Sequence, residues 1–120
     1  MHRIRLRRPW TLETADGEQQ RVDAPDERRQ TAAATYSRSF NLPTSINATT
    51  EVTLVIESWH AESATVLLND ASLVLDSNFP FRENITGRLR PVNRIDVKLT
   101  AGVDGRLALD GAVWLEILEH

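Results

Sequence analysis

The chain has 120 residues, no cysteine and a formal net charge of −3. The length suits one domain with one hydrophobic core. The lack of cysteine excludes disulfides and thiolate metal sites, and the acidic balance argues against a nucleic-acid partner. No apolar run is long enough to span a membrane, and the basic first ten residues lack the apolar stretch of a signal peptide. We therefore expect a cytoplasmic protein with neither nucleic-acid nor membrane partners.

Apolar and polar residues alternate in several stretches, which is typical of strands with one buried face. The alternation is clearest in residues 3–7, 52–57, 94–99 and 113–117. Turn-forming pairs lie between such stretches, among them Asp16-Gly17 and Asp110-Gly111. These patterns predict an all-β protein, an antiparallel β-sandwich of about eight strands.

One segment favours a helix, because Asp26 is a suitable N-cap and residues 27–30 are good helix formers. The segment has no apolar face, so we expect at most one helical turn within a long loop over residues 16–34. At the other end, residues 118–120 resemble the start of a vector-encoded histidine tag. We therefore place a single domain at residues 1–117 and leave His120 out of functional reasoning.

Seven segments of the chain follow, in order, a known sequence pattern. They are residues 10–12, 22–25, 36–43, 51–57, 64–70, 79–86 and 92–97. Together they resemble the N-terminal sugar-binding-like domain of family-two glycoside hydrolases, the β-galactosidase and β-glucuronidase group. The resemblance implies a galactose-binding-like jelly roll with an ancestral sugar-binding surface.

The departures from that pattern concern the turn at Asp70, where the family has glycine, and Asn84, where it has aspartate. The family's catalytic acid and nucleophile lie in a separate barrel domain, and this chain is too short to contain one. The resemblance therefore implies a fold and no hydrolase activity.

The sequence contains no motif that predicts a catalytic or metal site. Histidine metal motifs, a nucleophile elbow, a phosphate loop and a dinucleotide fingerprint are all missing from it. The 17 acidic residues make some carboxylate pair inevitable, so such a pair would not by itself indicate a glycosidase. We predict no enzyme, no metal and no cofactor, and leave a structural calcium open.

Four residues are candidates for ligand binding: Trp59, His60, Trp114 and Arg38. Trp114 lies on the polar phase of its strand and Trp59 lies between two strands beside His60, so either indole is a candidate stacking platform for a sugar ring. In the structural alternative, Trp114 packs under a loop, Trp59 closes a hairpin and His60 is an ordinary loop residue. Arg38 lies on an apolar phase, which favours a structural ion pair over contact with a ligand.

Two functions are consistent with these observations. The first is a non-catalytic binding module with carbohydrate as its ligand class, using an aromatic side chain and neighbouring polar groups. The second is a structural or protein-interaction domain without a small-molecule ligand, which would use a sheet face or edge to contact a protein partner or a second copy of itself.

Overall fold

The computed structural model describes residues 1–44, 46–75 and 78–120. Its regular structure is almost entirely β. The strands are β1 His2–Arg5, β2 Trp10–Thr14, β3 Gln19–Val22, β4 Gln30–Thr31, β5 Ala33–Asn41, β6 Thr50–Ile56, β7 Ser63–Leu68, β8 Ala71–Ser72, β9 Phe81–Asn84, β10 Val92–Thr100, β11 Arg106–Leu107 and β12 Val113–Glu119. One short 3₁₀ helix, Thr86–Arg88, lies between β9 and β10.

Two antiparallel sheets form the sandwich. The smaller has the strand order β1-β12-β6-β9, and the larger has the order β3-β2-β5-β10-β7-β8. The two-residue strands β4 and β11 form a separate pair. The predicted all-β, jelly-roll-like sandwich is confirmed. The number of strands exceeds the eight expected because several short strands pair as well.

The core lies between the two sheets because alternate residues of each strand face inward. One row of directly opposed residues crosses the larger sheet through Leu12, Tyr36, Val97 and Val66. All four are fully buried. Such cross-strand rows on one face are the unit that stabilises a sheet, and burying each large apolar side chain contributes about 1.5–3 kcal/mol.

The outer face of the larger sheet is polar because the residues between the inward-facing ones point to the other side of the strand. On the larger sheet, β5 presents Thr35, Ser37 and Ser39 outward, and the neighbouring β10 presents Arg94, Asp96 and Lys98. Ser37 and Asp96 are direct cross-strand partners, as are Ser39 and Arg94. Two adjacent central strands therefore place a patch of polar side chains at the middle of a sheet.

The prediction of a long loop over residues 16–34 is wrong, because β3 and β4 lie within that range. β3 was missed because it is an edge strand whose residues are exposed except for Val22, so its sequence lacks the apolar alternation. No helical turn forms at the predicted position either. Asp26 instead accepts hydrogen bonds from the backbone and side chain of Arg28, both at 3.1 Å, which stabilises a non-helical turn.

Phe81 is buried in the core, whereas Phe79 is half exposed, so only one of the two phenylalanines fills the interior. The domain limit expected at residue 117 falls inside β12, because Leu118 and Glu119 continue the pairing with β6. Within the described residues, no helix is long and apolar enough to cross a membrane.

Candidate functional site

Trp114 lies on the outer face of the smaller sheet, as its strand phase predicts, but it is not an open platform. Only 9% of its surface is exposed. The guanidinium of Arg3 lies over its ring at 4.5 Å from the centroid. Its indole N–H donates to the Glu116 carboxylate at 3.0 Å. The ring face that a sugar would need is therefore covered by Arg3.

Glu116 is the centre of a charged network on this face. Its carboxylate accepts hydrogen bonds from Arg82, forms an ion pair with Arg3 at 3.7 Å, and accepts the Trp114 bond. The Arg82 hydrogen bond is the main reason that the pKa of Glu116 lies below its ordinary value. The network explains why an outward tryptophan is buried on a solvent-facing sheet.

Trp59 packs at the end of the sandwich after β6. Its ring meets Phe79 edge-on with 4.9 Å between centroids and lies 6.1 Å from the Phe81 ring. It is half-buried against the core. Part of the indole and about half of Phe79 remain exposed, so this end presents some aromatic surface.

His60 contacts a different part of the chain from its neighbour Trp59. It forms an isolated bridge with Ala108, and its ring nitrogen Nε2 lies 2.6 Å from the Asp104 carboxylate. The backbone N–H of Arg106 is the main cause that lowers the pKa of Asp104, and His60 adds to the shift. The pair ties the β10–β11 turn to the β6–β7 loop, and Trp59 and His60 do not form one site.

In the described parts of the chain, no carboxylate lies within ion-pair distance of Arg38, so the expected structural ion pair is not found among those residues. Its guanidinium donates to the Ser39 carbonyl at 3.0 Å and to the Arg8 carbonyl at 2.9 Å. Its Nε is buried and has no hydrogen-bond partner among the residues that the structure describes. Burial lowers the pKa of Arg38, as expected for a charge taken from water.

The four candidates are thus distributed over three places. Trp114 is on the smaller sheet, Trp59 and His60 are at one end of the sandwich, and Arg38 is on β5 of the larger sheet. A single site that combines the two tryptophans does not form. Among these four, only Arg38 lines one of the surface hollows described next.

Two adjoining hollows occupy the outer face of the larger sheet. The arginine hollow, of about 370 Å³, is lined by Pro9, Thr11, Gln19, Ser37, Arg38, Ser39 and Arg94. The mixed-charge hollow, of about 390 Å³, is lined by Glu13, Thr35, Ser37, Leu67, Asp70, Arg94, Asp96 and Lys98. Ser37 and Arg94 line both, so the hollows form one continuous polar surface.

A hydrogen-bonded triad lies where the hollows meet. Ser37 Oγ donates to Asp96 Oδ1 at 2.5 Å, Arg94 Nε donates to the same oxygen at 3.1 Å, and an Arg94 terminal nitrogen donates to Ser37 Oγ at 3.2 Å. The Asp96 side chain is only 7% exposed, whereas that of Arg94 is 60% exposed. The triad fixes the orientation of Arg94 and leaves part of its guanidinium open to a ligand.

Sequence reasoning missed Ser37, Arg94 and Asp96 as site residues. The available signal was their polar phase in two alternating stretches, residues 35–39 and 94–98. That signal shows that the side chains face outward, but it does not reveal that β5 and β10 are neighbours. In the described segments, no three histidine or acidic side chains lie close enough together to hold a metal ion.

Comparison of the sequence with protein-family models and with curated proteins gives no match. Comparison with solved structures gives 56 matching chains. The FMN-binding β-glucuronidase of Faecalibacterium prausnitzii L2-6 matches 98% of this chain with a TM-score of 0.78 and 21% identity. A putative β-galactosidase from Bacteroides fragilis also matches 98%, with a TM-score of 0.79 and 16% identity.

The chain has the fold of a domain found in these glycosidases. The resemblance inferred from the seven segments is therefore confirmed at the level of fold. A β-glycosidase from Bacteroides vulgatus adds a third example, with 99% of this chain covered, a TM-score of 0.76 and 14% identity. The chain spans only 20–23% of the length of these three proteins, so the likeness concerns one small part of each.

Proposed function

We propose that this domain is a non-catalytic carbohydrate-binding module whose site is the polar surface of the arginine and mixed-charge hollows. The observation that carries the proposal is the Ser37–Asp96–Arg94 triad, which holds a partly open guanidinium at the junction of the two hollows. The structural likeness to glycosidase chains supports carbohydrate as the ligand class.

The chemistry of the surface suits sugar hydroxyl groups. A sugar hydroxyl group both donates and accepts hydrogen bonds, and the hollows offer both kinds of partner. Arg94 and Lys98 supply donors, and the exposed carboxylates of Glu13 and Asp70 supply acceptors. Among the described residues, no aromatic side chain lines either hollow. Without ring stacking, we expect weak binding, with a dissociation constant on the order of millimolar.

No reaction is assigned to the hollows. Asp96 is the one buried carboxylate among their lining residues, and it already accepts hydrogen bonds from Arg94 and Ser37. Glu13 and Asp70 are exposed. A glycosidase needs two carboxyl groups on either side of the scissile bond with separate acid and base or nucleophile roles. The proposal therefore restricts the domain to binding.

The proposal is tested by calorimetric titration with a panel of neutral and acidic methyl glycosides, using an Arg94→Met variant. The variant keeps the aliphatic stem but removes the donors, so we expect saccharide affinity to fall at least about tenfold, or about 1.4 kcal/mol. Arg106→Met is the matched control, since Arg106 is exposed on β11, outside both hollows. Equal affinity of the Arg94 variant and the wild-type protein, or no binding by any sugar, would reject the proposal.

A second candidate function is protein interaction through the end of the sandwich that carries Trp59. The supporting observation is that Phe79, which contacts Trp59, is 49% exposed. Exposed apolar surface next to a buried aromatic cluster is common at sites where proteins associate. The mass in solution distinguishes the two functions. If the wild-type protein is a dimer and Phe79→Ser is a monomer, the result favours protein interaction. If the wild type and the variant are both monomers, the result favours carbohydrate binding.

A further inference from the structure

The first eight residues are strongly basic and lie outside the proposed carbohydrate site. They contain four arginines and no acidic residue, in a chain whose 17 acidic residues outnumber its 14 lysines and arginines. Arg3 and Arg5 alternate with Ile4 along β1, and Arg5 lies directly opposite Trp114. The two arginines of β1 therefore lie on the outer face of the smaller sheet.

β1 is an edge strand whose backbone is open on one side. Among the described strands it pairs only with β12. The Leu6 N–H donates to the Val113 carbonyl at 2.9 Å. In an antiparallel pair, residues that bond to the partner strand alternate with residues whose backbone groups point away from it. The N–H and C=O groups of Arg3 and Arg5 therefore point to the free edge.

The open part of this edge is short and well defined. The Arg7 carbonyl accepts a hydrogen bond from the Ala24 N–H at 2.8 Å, so the chain after β3 covers the edge from Arg7 onward. Arg3 and Arg5 are both exposed, and no backbone group of the described residues bonds to their outward side. Two donors and two acceptors are thus available, which suits a short strand segment.

The charge at this edge selects between possible occupants. The Arg3 guanidinium already contacts Trp114 and Glu116, whereas no carboxylate of the described residues lies within ion-pair distance of Arg5. A second copy of this chain would fit poorly, because antiparallel pairing of two β1 strands brings like charges together. β9, at the other edge of the sheet, presents Arg82 on the same face. A strand that carries carboxylates is complementary to β1.

Ile4 determines which residue suits the middle of the occupant. It packs against the core but is only partly buried. In an added antiparallel strand, the residue between those opposite Arg3 and Arg5 lies opposite Ile4 and faces inward. An apolar side chain there would cover Ile4. The edge therefore matches a segment in which an apolar residue lies between two acidic ones.

We propose that the edge of β1 is a docking site for an acidic strand of a partner protein, which adds to the smaller sheet antiparallel to β1. Backbone hydrogen bonds to Arg3 and Arg5 hold the strand, and alternation of acidic and apolar side chains gives specificity. This inference goes beyond the proposed carbohydrate function. It concerns the sheet opposite the two hollows, so either proposal can fail without the other.

The probe is a synthetic peptide, acetyl-Thr-Glu-Val-Glu-Val-Glu-Thr-amide, added to the intact chain and followed by NMR. We expect saturable binding, and amide hydrogen exchange at Arg3 and Arg5 should slow at least about tenfold because their N–H groups gain partners. A peptide of the same composition without alternation, acetyl-Thr-Glu-Glu-Glu-Val-Val-Thr-amide, is the matched control. It should bind at least about tenfold more weakly, as should a peptide with lysine in place of glutamate.

Variants separate the backbone of Arg5 from its charge. Arg5→Pro removes an N–H that points to the free edge and keeps the bonds to β12, so the domain should fold but not bind the peptide. Arg5→Gln keeps the N–H and should weaken binding about threefold, with less dependence on salt. Arg106→Gln, at an exposed position on β11, should bind as the wild type does.

Three outcomes would overturn the proposal. The first is equal affinity for the alternating peptide and its matched control, or unchanged exchange at Arg3 and Arg5 in the complex. The second is a dimer of the wild type that Arg5→Pro converts to a monomer, which would make a second copy the occupant. The third is tighter binding of an oligothymidylate than of the peptide. The peptide comparison uses the wild-type protein, so it decides the question even if Arg5→Pro does not fold.

Discussion

Tyr36, the chain's single tyrosine, lies in the core with no exposed surface. Its hydroxyl makes no hydrogen bond of normal geometry within the described residues. Burial is the main cause that raises the pKa of Tyr36 to about 12, and the nearby Leu109 backbone offsets part of the shift. A buried hydroxyl whose pKa is raised in the folded state makes stability sensitive to alkaline pH.

We expect the protein to lose stability as the pH rises from 10 to about 12. In that window the unfolded chain releases the tyrosine proton and the folded chain keeps it, so the unfolded state is favoured by roughly 2–3 kcal/mol at the upper limit. Urea unfolding at several pH values measures the loss, and the absorbance of tyrosinate reports this one residue. Tyr36→Phe should remove this part of the loss; an unchanged alkaline slope in that variant would contradict the assignment.

Glu116 gives a second pH dependence, of opposite sign. Because the Arg82 bond lowers its pKa in the folded state, its stabilising contribution is present above the ordinary value of 4.5 and is lost as the pH falls below it. Glu116→Gln should lower the free energy of unfolding by about 1 kcal/mol at neutral pH and by less in acid. Glu27→Gln, at an exposed loop position, is the control and should change neither value.

At the scale of elements, the connection from β11 to β12 is fastened to the β6–β7 loop at Gly111. A Cβ added there would lie 2.3 Å from the Ser58 nitrogen and 2.8 Å from its carbonyl oxygen. The Gly111 N–H donates to that carbonyl at 3.1 Å, and Ser58 Oγ donates to Asp110 at 3.0 Å. The close approach of two backbones therefore requires glycine.

We expect Gly111→Ala to destabilise the protein by about 1–3 kcal/mol, because the backbone of Ser58 cannot move aside as a flexible side chain could. Gly87→Ala is the matched control, since a Cβ at Gly87 meets nothing within 4 Å. The midpoints of thermal unfolding of the two variants measure the difference. Equal midpoints would show that the two loops can move apart without loss of stability, which would contradict the prediction.

Three of the four stretches with the clearest alternation are strands that have neighbours on both sides, and the fourth is the edge strand β1. β6, β10 and β12 each pair with two strands and bury a complete face, so their alternation is clear. β3 is an edge strand and β8 is exposed, and neither needs an apolar face to pair. Their pairing depends on backbone hydrogen bonds to partners that the local sequence does not specify.

At the scale of the whole molecule, the site depends on which strands are neighbours. The sequence correctly places Trp114 on an outward phase, but not the Arg3 side chain over its ring, because β1 and β12 are far apart in the chain. For the same reason it misses Ser37 and Asp96, which face each other across strands 59 residues apart. Side-chain phase is local, whereas the assembly of a binding surface is set by sheet topology.

The most direct test of the central claim is an NMR titration that maps which backbone amides shift on addition of a methyl glycoside. We predict that the shifts concentrate on the outer face of the larger sheet, at Ser37, Ser39, Arg94 and Lys98, with little change at the aromatic end near Trp59. Shifts confined to Trp59 and Phe79, or none at millimolar sugar, would contradict a carbohydrate site on this sheet.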